Sequence, residues 1–323
     1  MFNWKTRGGA ALLAIAISAL AVPSHAADKL TLMFDWLPSG AHGAWYAGAT
    51  NGCFADQNLD ISLERGFGGV DTITKVASGV ADLGMADLGT MMVAAQRTGV
   101  PVKALLPIYN DSPASIATLD ETIKSIKDLE GRKLVNAPGD STVLLLPAAM
   151  KEAGADFSRV QNEKVDATAL FGLLMQGQAD AMTTFTTTGA VLRGVAANVG
   201  RDLKLIHFGA DLDIYGSTIF AGEKIAGNAD LVGRFAAAAK CVLEAARENP
   251  ASAVDALLAA YPEKERDAEM ASANAVMDLI FDNDTYRANG FGWDMDKVQR
   301  TFELSLESQG LEPEGDGSAH VRH

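Results

Sequence analysis

The sequence predicts an α/β protein with two similar lobes joined by two crossing strands. Strand-like and helix-like segments alternate along most of the chain, which is typical of mostly parallel sheets covered by helices. The tetrad Gly79-Val-Ala-Asp82 recurs as Gly177-Gln-Ala-Asp180, each time between an amphipathic helix and an apolar strand. Beyond an N-terminal targeting segment, about 297 residues remain, more than one hydrophobic core usually organises.

The first 26 residues are predicted to be a signal peptide. Lys5 and Arg7 precede an apolar run over residues 10–22, and Ser24-His25-Ala26 provides small residues on both sides of a histidine. The apolar run is shorter than the roughly 20 residues that span a bilayer, which argues against a membrane anchor. We therefore expect cleavage after Ala26 and export to the periplasm, without a lipid anchor because no cysteine lies near the cleavage site.

The charge of the mature chain excludes one class of partner. Without Lys5 and Arg7, the chain has 25 basic and 41 acidic residues, a net charge of −16. Nucleic-acid affinity depends on Lys and Arg contacts to phosphates, so we expect no nucleic-acid partner. The same charge keeps a protein away from anionic membrane surfaces.

Cys53 and Cys241 are the two cysteines of the chain. An oxidising compartment would permit a disulfide between them. Both lie in apolar helical segments, where a free cysteine behaves as a small buried hydrophobic residue, and this is the favoured interpretation. Spacing alone does not establish whether the two Cα atoms come within bridging distance. Neither cysteine has the spacing of a metal ligand, and we expect no metal and no cofactor.

The first part of the mature chain predicts one α/β lobe. Alternating or apolar runs predict strands at residues 29–34, 59–63, 82–85 and 102–106. The segments between them predict helices at residues 44–55, 71–78 and 90–97.

The middle of the chain predicts a second lobe of the same construction. Strands are expected at residues 133–136, 160–165 and 179–183, with helices at 141–153 and 167–176. Strand-like segments at 204–208 and 215–221 then lead into helices that continue to residue 309.

Two crossings, near residues 108–115 and 211–218, would form a hinge between the lobes. We accordingly expect lobe I at residues 27–110 plus 214–311 and lobe II at 111–213. The tail over residues 312–323 is rich in Gly, Glu and Pro and is predicted to be disordered.

Residues 35–54, DWLPSGAHGAWYAGATNGCF, resemble the family of periplasmic binding proteins for thiamine-pyrimidine precursors, sulfonates and taurine. In the thiamine-precursor branch, Asn stands where this chain has Ser39. The resemblance continues at residues 79–89, 98–105 and 177–181. The residues that match the branch pattern without a gap are Asp35, Trp36, Pro38, His42, Tyr46, Gly52 and Phe54.

This resemblance implies the type II periplasmic-binding-protein fold, in which two α/β lobes close on a ligand like a Venus flytrap. It also implies a substrate-binding protein of an ABC transporter that works with a permease in the inner membrane. We expect a monomer without enzymatic activity. A synthase of pyrimidine precursors with the same fold is the enzymatic alternative, and a sensor subunit is a further one.

Candidate ligand-binding residues follow from the rule that ligands lie beyond the carboxyl ends of strands, near helix N-termini. Trp36 follows a strand directly and could stack on a flat ring or fill the core. His42 could bind a ring nitrogen or cap the next helix. Asp87, Thr90 and the residues near 140 could equally be helix caps. The complete set is Asp35, Trp36, Pro38, Ser39, His42, Asp87, Thr90, Asn110, Gly139, Asp140, Ser141, Thr142, Phe185, Thr186 and Tyr215.

The charge of these loops favours one ligand class. Asp35, Asp87, Asp111 and Asp140 lie in them, whereas Lys and Arg do not. A small polar ring with N–H donors, similar to a thiamine-pyrimidine precursor, therefore fits better than a strong anion. Helix N-termini can hold anions without basic side chains, so an alkanesulfonate, taurine or an aromatic acid is the alternative ligand.

Overall fold

The computed structural model describes Met1 and residues 26–322 as a two-lobed α/β protein. The predicted signal peptide lies outside the described residues, apart from Met1 and Ala26. Within the described part of the chain, no helix has the length and apolar character needed to cross a membrane.

Ten strands form two five-stranded sheets in the described residues. The strands are β1 (Asp28–Met33), β2 (Leu59–Glu64), β3 (Leu83–Asp87), β4 (Val102–Pro107), β5 (Ala114–Thr118), β6 (Lys133–Asn136), β7 (Gln161–Lys164), β8 (Ala181–Phe185), β9 (Lys204–His207) and β10 (Ser217–Gly222). The sheet of lobe I has the order β2-β1-β3-β10-β4, and that of lobe II the order β7-β6-β8-β5-β9.

The two sheets share one plan. In each sheet, the fourth strand in the order is antiparallel to both neighbours, while the strands before it are parallel. These antiparallel strands are β5 and β10, which are the first strands after the two crossings between the lobes. After each crossing, the first strand therefore runs antiparallel to its neighbours in the sheet. The predicted two-lobed fold with a two-strand hinge is confirmed.

Twelve α-helices cover the sheets in the described residues. They are α1 (Gly43–Gly48), α2 (Gly69–Ala77), α3 (Leu88–Thr98), α4 (Ser141–Glu152), α5 (Leu170–Met175), α6 (Thr186–Asn198), α7 (Glu223–Ala226), α8 (Ala229–Glu248), α9 (Pro250–Ala260), α10 (Arg266–Phe281), α11 (Asp284–Asn289) and α12 (Met295–Glu307). Helices on both faces of each sheet explain why β3, β5, β6, β8 and β10 are buried along nearly their whole length, whereas the edge strands β2 and β7 keep exposed residues.

The repeated tetrad has the same structural role in both lobes. Gly79 and Gly177 adopt positive φ angles of 77° and 70°, as expected of glycine just after a helix. The carboxylate of Asp82 then accepts a 2.8 Å hydrogen bond from the N–H of Thr31, and Asp180 accepts an equivalent 2.8 Å bond from Lys133. Each tetrad therefore ends a helix and ties the next strand to its neighbour in the sheet.

The two crossings lie side by side and are held by α12. Residues 108–113 and 208–216 are joined by backbone hydrogen bonds between Tyr109 and both Gly216 and Ser217. The buried ammonium group of Lys297 on α12 lies 2.5 Å from Asp111 Oδ1 on one crossing and 3.2 Å from Asp213 Oδ1 on the other.

Further contacts from α12 reinforce this arrangement. The hydroxyl of Thr301 accepts from the N–H of Tyr215, and Arg300 Nε donates to the carbonyl of Leu212 over 2.6 Å. At its other end α12 meets lobe II, where Ser308 Oγ accepts from Ala148 N–H and donates to the carbonyl of Leu144. One helix therefore contacts both hinge segments and both lobes.

The cysteines correct the interpretation that favoured free thiols. Cys53 and Cys241 form a disulfide with a Cα–Cα distance of 5.7 Å, although 188 residues separate them in sequence. Cys53 is buried in the core of lobe I but lies in a turn rather than a helix, and Cys241 lies on α8 but is exposed, so the predicted buried helical setting is only partly correct for each. A bond that closes so long a loop restricts the unfolded chain strongly.

The C-terminal tail is ordered and corrects a second expectation. Residues Gly317–His320 form a 3-10 turn on α12, and Val321 is buried beside β4. Trp293 Nε1 donates to the carbonyl of Arg322. The composition of the tail resembled a disordered segment, but Val321 and the ring of His320 pack against Ala104 and Phe302.

Two elements were not expected from the sequence pattern. Strand β5 begins at the end of the predicted first crossing, and α6 begins at Thr186, which had been predicted only as a ligand-binding residue. The predicted helix at residues 44–55 is shorter in the structure, where α1 ends at Gly48 and the chain turns at Gly52 with a φ angle of 92°.

Replacing Lys297 with Met should lower the free energy of unfolding by about 1–3 kcal/mol, since it removes charged hydrogen bonds to Asp111 and Asp213. Urea unfolding measures this change. The matched control is Lys240→Met on α8, an exposed lysine 3.8 Å from Glu244. Equal losses in the two variants would contradict a special role of Lys297 at the hinge.

Candidate ligand-binding site

A cavity of about 240 Å³ lies between the lobes at the carboxyl ends of the strands. Lobe I contributes the residues after β1 and the start of α2, and lobe II contributes the starts of α4, α5 and α6. The structure brings nine of the predicted residues to its wall: Asp35, Trp36, Ser39, His42, Gly139, Asp140, Ser141, Thr142 and Phe185.

On the lobe I side, the wall is a 3-10 turn, Gly40–His42, that runs into α1. The N–H of Ser39 donates to His42 Nδ1 over 3.2 Å, so this ring nitrogen is the acceptor and Nε2 carries the hydrogen. Nε2 lies 3.7 Å from Asp35 Oδ1. His42 therefore lines the cavity beside a carboxylate, and its side chain caps the 3-10 turn at Ser39 rather than the following helix α1.

On the lobe II side, Asp140 caps α4. Its Oδ1 accepts a 2.8 Å hydrogen bond from Thr142 N–H, and its other oxygen accepts from the hydroxyl of Thr183. Burial raises the pKa of the Asp140 carboxyl, against these hydrogen bonds. The Thr142 hydroxyl is buried close to the Asp140 carboxyl and lowers its pKa, yet no hydrogen bond of good geometry holds it in the described residues, so it can turn to a ligand.

The lobes are in contact around the cavity. Trp36 comes from lobe I but packs against a hydrophobic cluster of lobe II that includes Leu170 and Met182. A Cβ at Gly68 would lie 3.3 Å from the carbonyl oxygen of Gly139, so the backbones of the two lobes approach each other closely at this point. Residues of both lobes therefore enclose the cavity.

Asp87 lies behind the cavity wall, at the end of β3, and does not line the cavity. It is buried, and its Oδ1 has no hydrogen-bond partner in the described residues. Burial raises the pKa of the Asp87 carboxyl to about 7, a hydrogen bond from Ser141 opposes the increase, and the carboxylates of Asp35 and Asp140 add to it. Ser141 belongs to lobe II, so the Asp87 carboxyl of lobe I lies next to the opposite lobe beneath the cavity.

Five other predicted residues do not line the cavity either. Thr186 bonds Ser115 and His207 on the other side of β8, and the hydroxyl of Tyr215 accepts from Asp294 N–H next to α12. The remaining three, which are buried beside the cavity wall or on the first crossing, are Pro38, Thr90 and Asn110. Thr186 is the first residue of α6, and Tyr215 lies on the second crossing, where its hydroxyl and its N–H are both used in contacts with the segment around α12.

The cavity also has wall residues outside the predicted set. Tyr109 lies on the first crossing, and burial together with Asp35 and Asp87 raises the pKa of its phenol well above the usual value. Phe171 lies at the start of α5, beside Leu170. The sequence signal for Tyr109 was its place next to Asn110, whereas nothing separates Phe171 from an ordinary core residue of an amphipathic helix.

The arrangement combines flat apolar surfaces with hydroxyls and carboxylates. Trp36, Tyr109, Phe171 and Phe185 provide aromatic rings, and Ser and Thr side chains come mainly from lobe II. None of the described residues that line the cavity is Lys or Arg. No group of three or more possible metal-binding side chains occurs in the described part of the chain.

The fold and the cavity between two lobes define a protein of the periplasmic-binding-protein class. The chain belongs to the NMT1/THI5-like family, whose model matches residues 39–253. This match covers the site-bearing turn after β1 and most of both lobes.

Three curated proteins show what the chain is similar to. It is 25% identical over 245 residues to a riboflavin-binding protein of Chloroflexus aurantiacus, which covers 73% of this chain and 67% of that protein. It is 25% identical over 164 residues to a formylaminopyrimidine-binding protein of Halalkalibacterium halodurans, covering 49% and 47%. It is also 25% identical over 109 residues to a 4-amino-5-hydroxymethyl-2-methylpyrimidine phosphate synthase of Saccharomyces cerevisiae, covering 33% and 32%.

Among solved structures, the periplasmic aliphatic sulphonate binding protein SsuA of Escherichia coli has the same fold. The TM-score is 0.70 at 17% identity, and the superposition covers 91% of this chain and 92% of SsuA. The predicted fold class is therefore confirmed by comparison as well as by strand order.

The Asp87 carboxyl should make stability depend on pH. Its pKa is 3.8 in an unfolded chain and about 7 in the fold, so the folded state holds a proton that the unfolded state releases. The contribution of the Asp87 carboxyl to the free energy of unfolding is then fully present below about pH 4. As the pH rises to 7, about 4 kcal/mol of this contribution is lost. Asp87→Asn should remove this dependence and be the more stable protein at pH 8.

Urea unfolding at pH 4, 6 and 8 tests this expectation, with the exposed Asp202→Asn as the matched control. A wild-type protein and an Asp87→Asn variant with parallel pH profiles would contradict the assignment.

Proposed function

We propose that this protein is an extracytoplasmic solute-binding protein of an ABC importer. In this proposal it is exported to the periplasm, closes its two lobes on a small polar ring and delivers the ring to a permease in the inner membrane. The cavity enclosed by both lobes is the observation that carries the proposal. The binding proteins among the relatives support it.

Closure is the mechanism that this geometry favours. A ligand shifts an open protein to the closed form only if it binds the closed form more tightly. The cavity meets this condition because Ser39 and His42 come from lobe I, whereas Thr142 and Phe185 come from lobe II. A ligand between them contacts both walls at once, and the paired crossings allow the lobes to bend about a hinge.

The polar groups of the cavity favour a ligand with N–H donors. Asp35 and Asp140 face the cavity and accept hydrogen bonds, and the free hydroxyl of Thr142 can donate or accept. An aminopyrimidine presents N–H donors and ring-nitrogen acceptors on one edge. The ring would lie against Trp36, whose stacking adds about 0.5–1.5 kcal/mol beyond burial.

The cavity volume favours a small ligand. A volume of about 240 Å³ lies below the range of about 300–1,000 Å³ that is usual for drug-sized ligands. A single-ring pyrimidine suits it better than a three-ring flavin, so we prefer the ligand class of the formylaminopyrimidine-binding relative.

A sulfonate, taurine or an aromatic acid is a weaker alternative. The likeness to SsuA concerns the fold, and the cavity lacks the basic side chains that would neutralise an anion. Catalysis by a pyrimidine-precursor synthase is the second alternative. Both cysteines of the chain are joined in the disulfide and neither lines the cavity, so no thiol is available there for chemistry.

A thermal-shift panel on the mature protein tests the ligand class. We expect aminopyrimidines to raise the melting temperature more than thiamine, flavins, alkanesulfonates or aromatic acids, because their N–H donors match Asp35 and Asp140. A preference for taurine or an alkanesulfonate over every nitrogen heterocycle would overturn the substrate class. It would leave the binding-protein role intact.

Trp36→Ala should lower the affinity for the ring by about 10- to 100-fold, because it removes the stacking surface. Calorimetry measures the affinity. Phe67→Ala is the matched control, since Phe67 is 60% exposed, next to Gly68 at the cavity rim, and outside the wall. Unchanged affinity in Trp36→Ala with a correctly folded protein would show that the stacking assignment is wrong.

A further inference from the structure

Glu269 on α10 is a buried carboxylate that the cavity wall does not include. Its side chain is 9% exposed, and one oxygen lies 3.3 Å from the ammonium group of Lys264. The other oxygen, Oε2, accepts a 2.5 Å hydrogen bond from the N–H of Gly40, which begins the turn at the cavity. A buried charge of this kind needs partners, and Glu269 finds one of them in the backbone of the candidate site.

A second side chain of α10 binds the same turn. Ser272 Oγ accepts a 3.1 Å hydrogen bond from the N–H of Ala41, and Ala41 lines the cavity. The approach is close enough that a Cβ on Gly40 would lie 1.9 Å from the carbonyl oxygen of Glu269. Glycine is therefore required at position 40 for α10 to reach the turn.

Helix starts are the places where anions usually bind, because their first N–H groups have no partner within the helix. Gly40–His42 and α1 form one continuous helical segment, Gly40–Gly48, whose start lies at the cavity wall. Its first two N–H groups are already occupied by Glu269 and Ser272. An anionic ligand would lose these two donors, and the Glu269 carboxylate lies behind the part of the wall that Ala41 and His42 form.

The same pattern occurs on the opposite wall. The first turn of α4 is capped by the carboxylate of Asp140, with Asp87 next to Ser141 beneath it. Carboxylates of the protein thus occupy helix starts on both sides of the cavity. α10 also packs against α6 of lobe II, so the helix that holds the turn belongs to the contact between the closed lobes.

We propose that Glu269 determines the charge selectivity of the cavity, holding the Ser39–His42 turn in place and denying its N–H groups to anionic ligands. The ligand class that follows is a neutral or cationic nitrogen ring, with sulfonates and carboxylates excluded. This inference rests on the proposed binding function of the same cavity, but it concerns a residue that does not touch the ligand.

Glu269→Gln separates charge from positioning. The amide oxygen of Gln can still accept from Gly40 N–H, so the turn is kept while the negative charge is removed. We expect the ratio of affinities for ethanesulfonate and 4-aminopyrimidine to rise about tenfold in favour of the sulfonate. Asp267→Asn is the matched control, because Asp267 is exposed in the first turn of the same helix.

The response to ethanesulfonate alone tests whether Glu269 excludes anions. Ethanesulfonate at tens of millimolar should raise the melting temperature of Glu269→Gln more than that of the wild type or Asp267→Asn. Equal effects in all three proteins would overturn the selectivity role. A purely structural role would lower the melting temperature of Glu269→Gln without changing its response to the sulfonate, which is also evidence against the proposal.

The two proposals fail in different ways. If ethanesulfonate stabilises the wild type and 4-aminopyrimidine does not, the proposed ligand class is wrong. The same result would show that Glu269 does not exclude sulfonates from the cavity. If 4-aminopyrimidine stabilises the wild type and the three proteins respond alike to sulfonate, the proposed function stands and the role of Glu269 is wrong.

Discussion

The ion pairs of Lys297 are the constraint on which the arrangement of the two lobes depends. One ammonium group on α12 holds Asp111 on the first crossing and Asp213 on the second, and it is almost completely buried. The crossings are otherwise joined by a few backbone hydrogen bonds. Without a common cation, two carboxylates would face each other at the hinge and repel. The two walls of the cavity belong to different lobes, so the contacts that hold both crossings also influence how the walls face each other.

Carboxylates give the cavity its chemical character. Asp35 and Asp140 line it, Asp87 lies beneath it, and Glu269 holds one of its turns from behind. A cavity without basic side chains and with helix starts already occupied is complementary to donors rather than to anions. Burial raises the pKa of Asp87 to about 7, and the carboxylates of Asp35 and Asp140 add to the increase.

Much of the fold could be predicted because local patterns carried it. In the two Gly-x-Ala-Asp tetrads, glycine ends a helix through its own backbone freedom, whereas aspartate ties its strand to Thr31 or Lys133, which lie 51 and 47 residues earlier in the chain. The cavity-facing segments after β1, β6 and β8 followed from the rule for strand ends. The disulfide and the ordered tail could not be predicted, because each depends on partners far away in sequence: Cys241 for Cys53, and Ala104 for Val321. Thr186 and Tyr215 belong to the predicted segments, but their side chains face away from the cavity.

Local chemistry in the sequence was sufficient for the α/β pattern, the repeated lobe plan and the loops that bear the site, because turn residues and hydrophobic periodicity act over a few positions. Only the tertiary structure decided which side chains of those loops share the cavity and which are used elsewhere. It alone brought Lys297 to both crossings and Glu269 to Gly40, across 229 residues of sequence in the second case. The physical reason is that a buried charge is stabilised by its neighbours in space, and the packing of the whole chain determines those neighbours.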